Sequence, residues 1–188
     1  MPRATRDAAE RTRMALLSSA AMLFAERGFH AVSVVDVAGS AGVSRGAVYH
    51  NWADKTALFA EVVEHAHADA AEQAAVATAE IDDPIEVLLR GALAYVAACA
   101  DHRHRRILLV DGPAVIDRAR WVALEREYAA SLLADALDRA EVEPAKRAVV
   151  SLLLAGAVQR AVVGVAEGMP LEALHAPLRA MIEATVRS

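Results

Sequence analysis

Apolar and polar positions follow a helical period along nearly the whole chain. Over residues 8–27, Leu17, Ala20, Ala21 and Phe24 form an apolar stripe, and Gly28 ends the helix they predict. The period restarts after Ser33, with Val34, Val37, Ala38 and Ala41 at i, i+3, i+4 and i+7. Ser33 and Asp36 form an S-x-x-D pattern close to a capping box, so Ser33 is expected to cap that helix. Gly42 supplies the left-handed residue that closes it. Ser44 is the next N-cap, with Val43 and Val48 at the N′ and N4 positions of a hydrophobic staple. Val48 and Trp52, four apart, anchor this second short helix to a core. Its other side carries Gly46, Ala47 and His50, flanked by Arg45, Tyr49 and Asn51.

The remainder reads as longer helices. Asp54 is an N-cap and Lys55 opens a helix reaching about residue 79, with Leu58, Val62 and Ala66 on one line and Phe59 and Val63 beside it. Asp83 caps, Pro84 sits at N1 and Glu86 at N3, which opens a helix over 84–100 that is apolar around most of its circumference. Residues 101–106 (DHRHRR) form a polar, basic break. Asp111-Gly112-Pro113 is then expected to interrupt any helix, because Pro113 lacks an N–H and restricts Gly112. A helix over 119–140 carries Trp121, Leu124, Tyr128 and Leu132 on one stripe. Glu143-Pro144 opens a very apolar helix to about residue 167, and Gly168-Met169-Pro170 stops it. Leu171, Leu174, Leu178, Met181 and Thr185 follow a 3–4 spacing in a last helix over 171–186. No run of alternating β-branched residues bounded by turns is long enough for a sheet. The expected fold is all-α, with about nine helices: a three-helix head over 1–55, a linking helix over 56–82 and a helical body over 83–188.

Composition supports helix. The 188 residues are 56% hydrophobic with nine glycines and six prolines, and alanine dominates. A net charge of −5 argues at first against a nucleic-acid partner. Its distribution reverses that: residues 1–58 carry a net +2 and the remainder −7. A mildly basic head on an acidic body fits a DNA-binding domain with a separate body. The single Cys99 has no intramolecular disulfide partner, and the N-terminus lacks a signal-peptide core, so a reducing cytoplasm is expected. The most apolar run, residues 148–166, contains Ser151, Gln159 and Arg160 and reads as a buried helix rather than a membrane span.

Two short helices, a tight turn and an outer face of small and polar residues are what a DNA-reading helix requires. The stretch from about Thr12 to Phe59 resembles the DNA-binding domain of the TetR (tetracycline-repressor) family of bacterial regulators. Phe24, Gly28 and Phe29 match the end of that family's first helix. Val37, Ala38, Gly42, Val43 and Ser44 match its turn, and Tyr49, Trp52 and Lys55 its exit into the fourth helix. Trp52 stands where phenylalanine is commoner. The DGPAV element and Arg120-Trp121 resemble a sub-group of the same family.

The recognition face then assigns roles. Arg45, Gly46 and Ala47 are expected to face base edges, with Arg45 the best candidate for a guanine. Tyr49 and His50 fix the register on the backbone. Ser33 and Ser44 cap helices and donate to phosphates, and Asn51 is a weaker contact. The resemblance implies that Lys55 binds phosphate, and a lysine at a helix N-terminus is a fitting anion site. Arg3 and Arg6, in an N-terminal arm over residues 1–7, are further phosphate candidates. The resemblance also implies a small-molecule effector in the body, where Tyr95, Trp121 and Tyr128 are pocket candidates. It implies a homodimer through the last two helices, with Leu152, Gly156, Val163, Leu171, Leu174, Leu178 and Met181 at the interface. The expected partners are therefore a double-stranded DNA operator, an effector and a second copy of the chain. The rival is an adaptor on the same scaffold whose body recognises a protein. No metal or other cofactor is expected: His65-x-His67 and His102-x-His104 point to different sides of a helix, and no Cys cluster or H-E-x-x-H pattern accompanies them. Neither a phosphate-binding glycine loop nor a nucleophile elbow occurs, and Cys99 reads as a small buried hydrophobe, so an enzyme is not expected.

Overall fold

The computed structural model describes residues 3–187, and the side chains within that span other than those of residues 3–6 and 129–132. Met1, Pro2 and the expected phosphate contacts of Arg3 and Arg6 lie outside the described residues, as does the side chain of Leu132. Every regular element among the described residues is helical. Helix α1 spans Arg3–Arg27, α2 Val34–Ser40, α3 Arg45–Asn51 and α4 Lys55–Thr78. Helix α5 spans Pro84–Ala100 and α6 His102–Arg105. A π-helical turn, Arg106–Asp111, leads into α7, Gly112–Val115. Helix α8 spans Arg118–Arg139 and α9 Pro144–Ala166, and a 3-10 turn, Leu171–Leu174, precedes α10, His175–Arg187.

Three of these differ from expectation. Helix α1 begins at Arg3 instead of near Ala8. No glycine or proline lies between Arg3 and Gly28, and the stretch is rich in alanine and arginine, which are strong helix formers. The chain also stays helical across Asp111-Gly112-Pro113 and breaks at Ile116, whose ψ is 136°. Pro113 falls in the first turn of α7, where its missing N–H is no loss. Gly112 is helical (φ −55°, ψ −60°). With no Cβ, it escapes much of the clash that normally keeps a pre-proline residue extended. The last helix opens as a 3-10 turn because Pro177 cannot donate to Ala173, so the α-helix starts at His175 with Pro177 in its first turn.

The chain packs as two compact units. The first holds the residues up to Ala66 together with His102–Asp117; the second holds His67–Asp101 and the residues from Arg118 on. The segment that follows α5 in sequence, His102–Asp117, thus packs with the head. The first unit is centred on Phe24, Phe29 and Phe59, with ring centroids 4.9–5.9 Å apart, and on buried Leu16, Val37 and Val48. The second is centred on Leu88 and Leu89 of α5, Leu133 and Leu137 of α8, Val150 and Leu154 of α9, and Leu178 and Ile182 of α10.

Candidate nucleic-acid interface

The helix-turn-helix forms as its sequence dictates. Ser33 Oγ accepts the Asp36 N–H at 3.2 Å while the Ser33 N–H donates to the Asp36 carboxylate at 2.8 Å, completing a capping box. The Ser33 hydroxyl also donates to Asp36 at 2.6 Å. These bonds hold the Asp36 pKa below the usual carboxylate value. The hydroxyl proton is thereby committed, and Ser33 can donate to a phosphate only by releasing Asp36. At the other end of α2, Gly42 has φ 68°. The Val43 N–H reaches Ala38 O at 3.0 Å and the Gly42 N–H reaches Gly39 O at 3.2 Å, a Schellman closure.

Helix α3 follows Ser44, which holds the N-cap position (φ −76°, ψ 152°) but makes no side-chain capping bond. Its hydroxyl is thus available to another acceptor. Val48 and Trp52 are buried, whereas Arg45, Gly46, Tyr49 and His50 are exposed, so the helix has one anchored and one open face. On the open face the Arg45 guanidinium lies over the Tyr49 ring, 5.2 Å from its centroid, and donates to the Tyr49 hydroxyl at 3.2 Å. Stacking narrows the rotamers of a long side chain and keeps its donors raised. Ala47 and Asn51 are half-buried, and the Asn51 amide donates to Ala47 O at 2.8 Å, which leaves its carbonyl oxygen for other partners.

Trp52 is more than a larger phenylalanine. Its indole N–H donates to Glu61 of α4 at 2.7 Å, and Arg13 of α1 donates to the same carboxylate oxygen at 2.6 Å. The Arg13 guanidinium also lies 5.3 Å from the Trp52 ring centroid. A buried indole needs such an acceptor, and Glu61 is a positioning residue that the sequence reading missed. Lys55 does not project freely. Its ammonium donates to Phe29 O at 2.8 Å and to Val32 O at 3.0 Å, and sits 4.1 Å from the Phe29 ring centroid. One of its three N–H donors remains for a phosphate.

In the second unit, the three pocket candidates converge on His67. The Tyr95 hydroxyl is 3.0 Å from buried His67 Nδ1. Tyr128 stacks on the His67 ring at 5.2 Å, and Trp121 meets it at 5.6 Å. Glu125 accepts from Trp121 Nε1 at 2.6 Å and from the Gln159 amide, and burial raises its pKa. Cys99 lies beside Tyr95, and burial pushes its thiol up to about 12. Among the described residues no cluster of three or more His, Cys, Asp or Glu side chains could hold a metal.

The expected interface residues separate. Leu152 is 72% exposed, and Gly156 is exposed with open space where a Cβ would stand. Val163, Leu171, Leu174 and Met181 are half-buried, whereas Leu178 is spent on its own chain's core. Helix α9 buries Val150, Leu154 and Val162 against its own chain and leaves Val149, Leu152 and Leu153 exposed. It is long and apolar enough to cross a membrane by length and composition, a test that helices of soluble proteins also pass.

Among the described residues every regular element is helical, and the head ends in an anchored, outward-facing α3, the geometry of a helix-turn-helix. Residues 16–62 match the family model of bacterial regulatory proteins of the tetR family, and residues 85–187 match a tetracyclin repressor-like C-terminal domain. The transcriptional regulator AcrR of Shigella flexneri is 31% identical over 145 residues, which is 75% of this chain and 66% of AcrR. The repressor BepR of Brucella suis is 38% identical over 61 residues, 32% of this chain and 29% of BepR. The chain thus matches just under two thirds of AcrR's length and less than a third of BepR's. A TetR-family regulator from Pectobacterium atrosepticum superposes with a TM-score of 0.72 at 28% identity, covering 100% of this chain and 96% of that one. The chain belongs to the tetR family of bacterial regulatory proteins.

Proposed function

We propose that the chain is a ligand-responsive repressor that binds an operator through α3 and is released by a small molecule held in its second unit. The observation that carries the proposal is the open face of α3, where Arg45 stacks on Tyr49 beside exposed His50 while Val48 and Trp52 fix the helix from behind. Arg45 reads a base edge, with Gly46 and Ala47 permitting close approach. Ser44, Tyr49, His50 and the remaining donor of Lys55 meet phosphates; Ser33 and Asn51 take lesser parts.

Two copies act together, joined along α9. Val149, Leu152, Leu153 and Gly156 fall at i, i+3, i+4 and i+7 and form an apolar stripe with a small residue for close helix approach. Two heads then meet grooves about 34–36 Å apart. The effector is an aromatic or apolar molecule with a hydrogen-bonding group, bound near Tyr95, His67, Trp121 and Tyr128. It releases DNA by binding better to the state whose heads are wrongly spaced. The working compartment is the cytoplasm.

Selection of duplexes from a random pool, followed by titration at two salt concentrations, tests the proposal. One enriched motif with two half-sites, bound more tightly than a scrambled duplex at both salts, is the expected result. Equal, salt-sensitive binding to every duplex would overturn sequence reading by α3.

A further inference from the structure

The turn between α1 and α2 is gripped by a segment eighty residues away in sequence. Asp111, at the end of the π-helical turn, is one of two buried polar or charged residues among those described. A buried carboxylate is costly unless it is bonded. Its Oδ2 accepts the Phe29 N–H at 2.9 Å and lies 3.6 Å from Arg106 Nε. Arg106 in turn donates from Nη1 to Glu26 O at 3.4 Å, and its guanidinium fills the space where a Cβ on residue 28 would stand. Gly28 has φ 85°, and a Cβ there would stand 2.6 Å from Arg106 Nε. The glycine therefore serves both the turn and the close approach of the guanidinium.

The other side of the same residue is also held, since Phe29 O accepts from Lys55 at the start of α4. The Phe29 backbone is thus fixed at its N–H by one element and at its C=O by another, five residues before α2 begins. The direction in which the chain leaves this turn sets where α2 and α3 lie against α1. A π-turn is a natural place for such a clamp, because its extra residue re-aims the side chains that follow it. The clamp also has a notable connectivity. His102–Asp117 belongs to the first unit, yet both its ends run directly into helices of the second, α5 and α8.

We propose that Asp111 and Arg106 are positioning residues for DNA binding, clamping the Gly28–Phe29 turn so that α3 is presented in register. This rests on the DNA-binding reading of the head. Neither residue is required to touch DNA.

The test uses the full-length protein and a duplex selected from a random pool by the wild type. Asp111→Ala, Asp111→Asn, Arg106→Gln and the conservative Arg106→Lys are titrated at a temperature where each is folded by circular dichroism. Backbone exchange at Phe29 is followed in parallel. Asp111→Ala and Arg106→Gln are expected to lose about tenfold in affinity on every duplex, the scale of one hydrogen bond to a charged group. Their salt slope is expected to match that of the wild type, because no phosphate contact is removed. Exchange of the Phe29 amide is expected to quicken, and Arg106→Lys to recover part of the affinity. Wild-type affinity in folded Asp111→Ala, or in Asp111→Asn with faster Phe29 exchange should the alanine variant not fold, would overturn the proposal. A flatter salt slope in Arg106→Gln would overturn it for Arg106 by making that residue a phosphate contact. If the wild type selects no duplex, the DNA-binding reading itself fails; unchanged Phe29 exchange in the variants would then overturn the clamp as well.

Discussion

Replacing Lys55 with methionine separates the two jobs this side chain is asked to do. Methionine keeps an unbranched apolar stem and removes the ammonium. The structure assigns that ammonium two carbonyl acceptors, Phe29 O at 2.8 Å and Val32 O at 3.0 Å, and a place over the Phe29 ring. Hydrogen bonds from a charged donor contribute about 1.5–3 kcal/mol each, and a partly exposed cation–π contact about 0.5–1 kcal/mol. Lys55 is half-buried, and water replaces part of what is lost, so the net destabilisation is set at about 2–3 kcal/mol. For a chain of this size that lowers the melting temperature by roughly 4–12 °C. Differential scanning calorimetry of Lys55→Met reads the stability, and titration of a selected duplex at several salt concentrations reads the phosphate contact. A phosphate contact at the third N–H would reduce the salt slope by about one. A melting temperature within about 1 °C of the wild type would refute the reasoning that Lys55 braces the α1–α2 turn.

Four further outcomes are expected. Trp52→Phe removes the N–H that Glu61 accepts at 2.7 Å and should cost about 1–3 kcal/mol in urea unfolding; an unchanged midpoint would show that Glu61 needs only Arg13. Glu141 ends α8 at φ 58°, so Glu141→Gly should raise the melting temperature, relieving about 1 kcal/mol of left-handed strain; a fall would contradict that strain. Leu152→Arg should convert a dimer to a monomer in sedimentation at micromolar concentration, and an unaltered dimer would move the interface off the exposed α9 stripe. The Cys99 thiol, pushed up to about 12 by burial, stays protonated in the fold while the unfolded thiol ionises near its ordinary value of 9.0. The stabilising effect is complete below pH 9 and is lost as pH rises toward 12, so Cys99→Ala should flatten the alkaline decline in stability. An identical decline in that variant would assign it to other groups.

The head was legible because its signals are local. Ser33-x-x-Asp36, Gly42 and Ser44 specify caps and turns within a few residues, and Val48 and Trp52 lie one turn apart, so the helix ends and the anchored face follow from spacing alone. What escaped depends on residues distant in sequence. Asp111 and Arg106 read as part of a break because nothing nearby hints that they close on Gly28 and Phe29. Glu61 looks like any helical glutamate until Trp52 and Arg13 are brought to it. In sequence the nearest histidine to His67 is His65, but its partners in the fold are Tyr95, Trp121 and Tyr128. Sequence gives the position of Lys55 at the helix terminus and not that its long stem reaches Phe29 O and Val32 O. Leu178 followed the 3–4 spacing of an interface, but that spacing cannot tell a partner's core from its own.

The most direct measurement is fluorescence anisotropy of a selected duplex and its single-base variants, titrated with the wild type and with Arg45→Ala at two salt concentrations. If α3 reads DNA through the stacked arginine, the wild type discriminates a guanine at one position of each half-site by about 1–3 kcal/mol. Arg45→Ala then loses that discrimination while its preference at the other positions stays. Equal discrimination by both proteins at every position would remove Arg45 from the reading role. Absence of any preference in a folded wild-type dimer would contradict sequence recognition by this head.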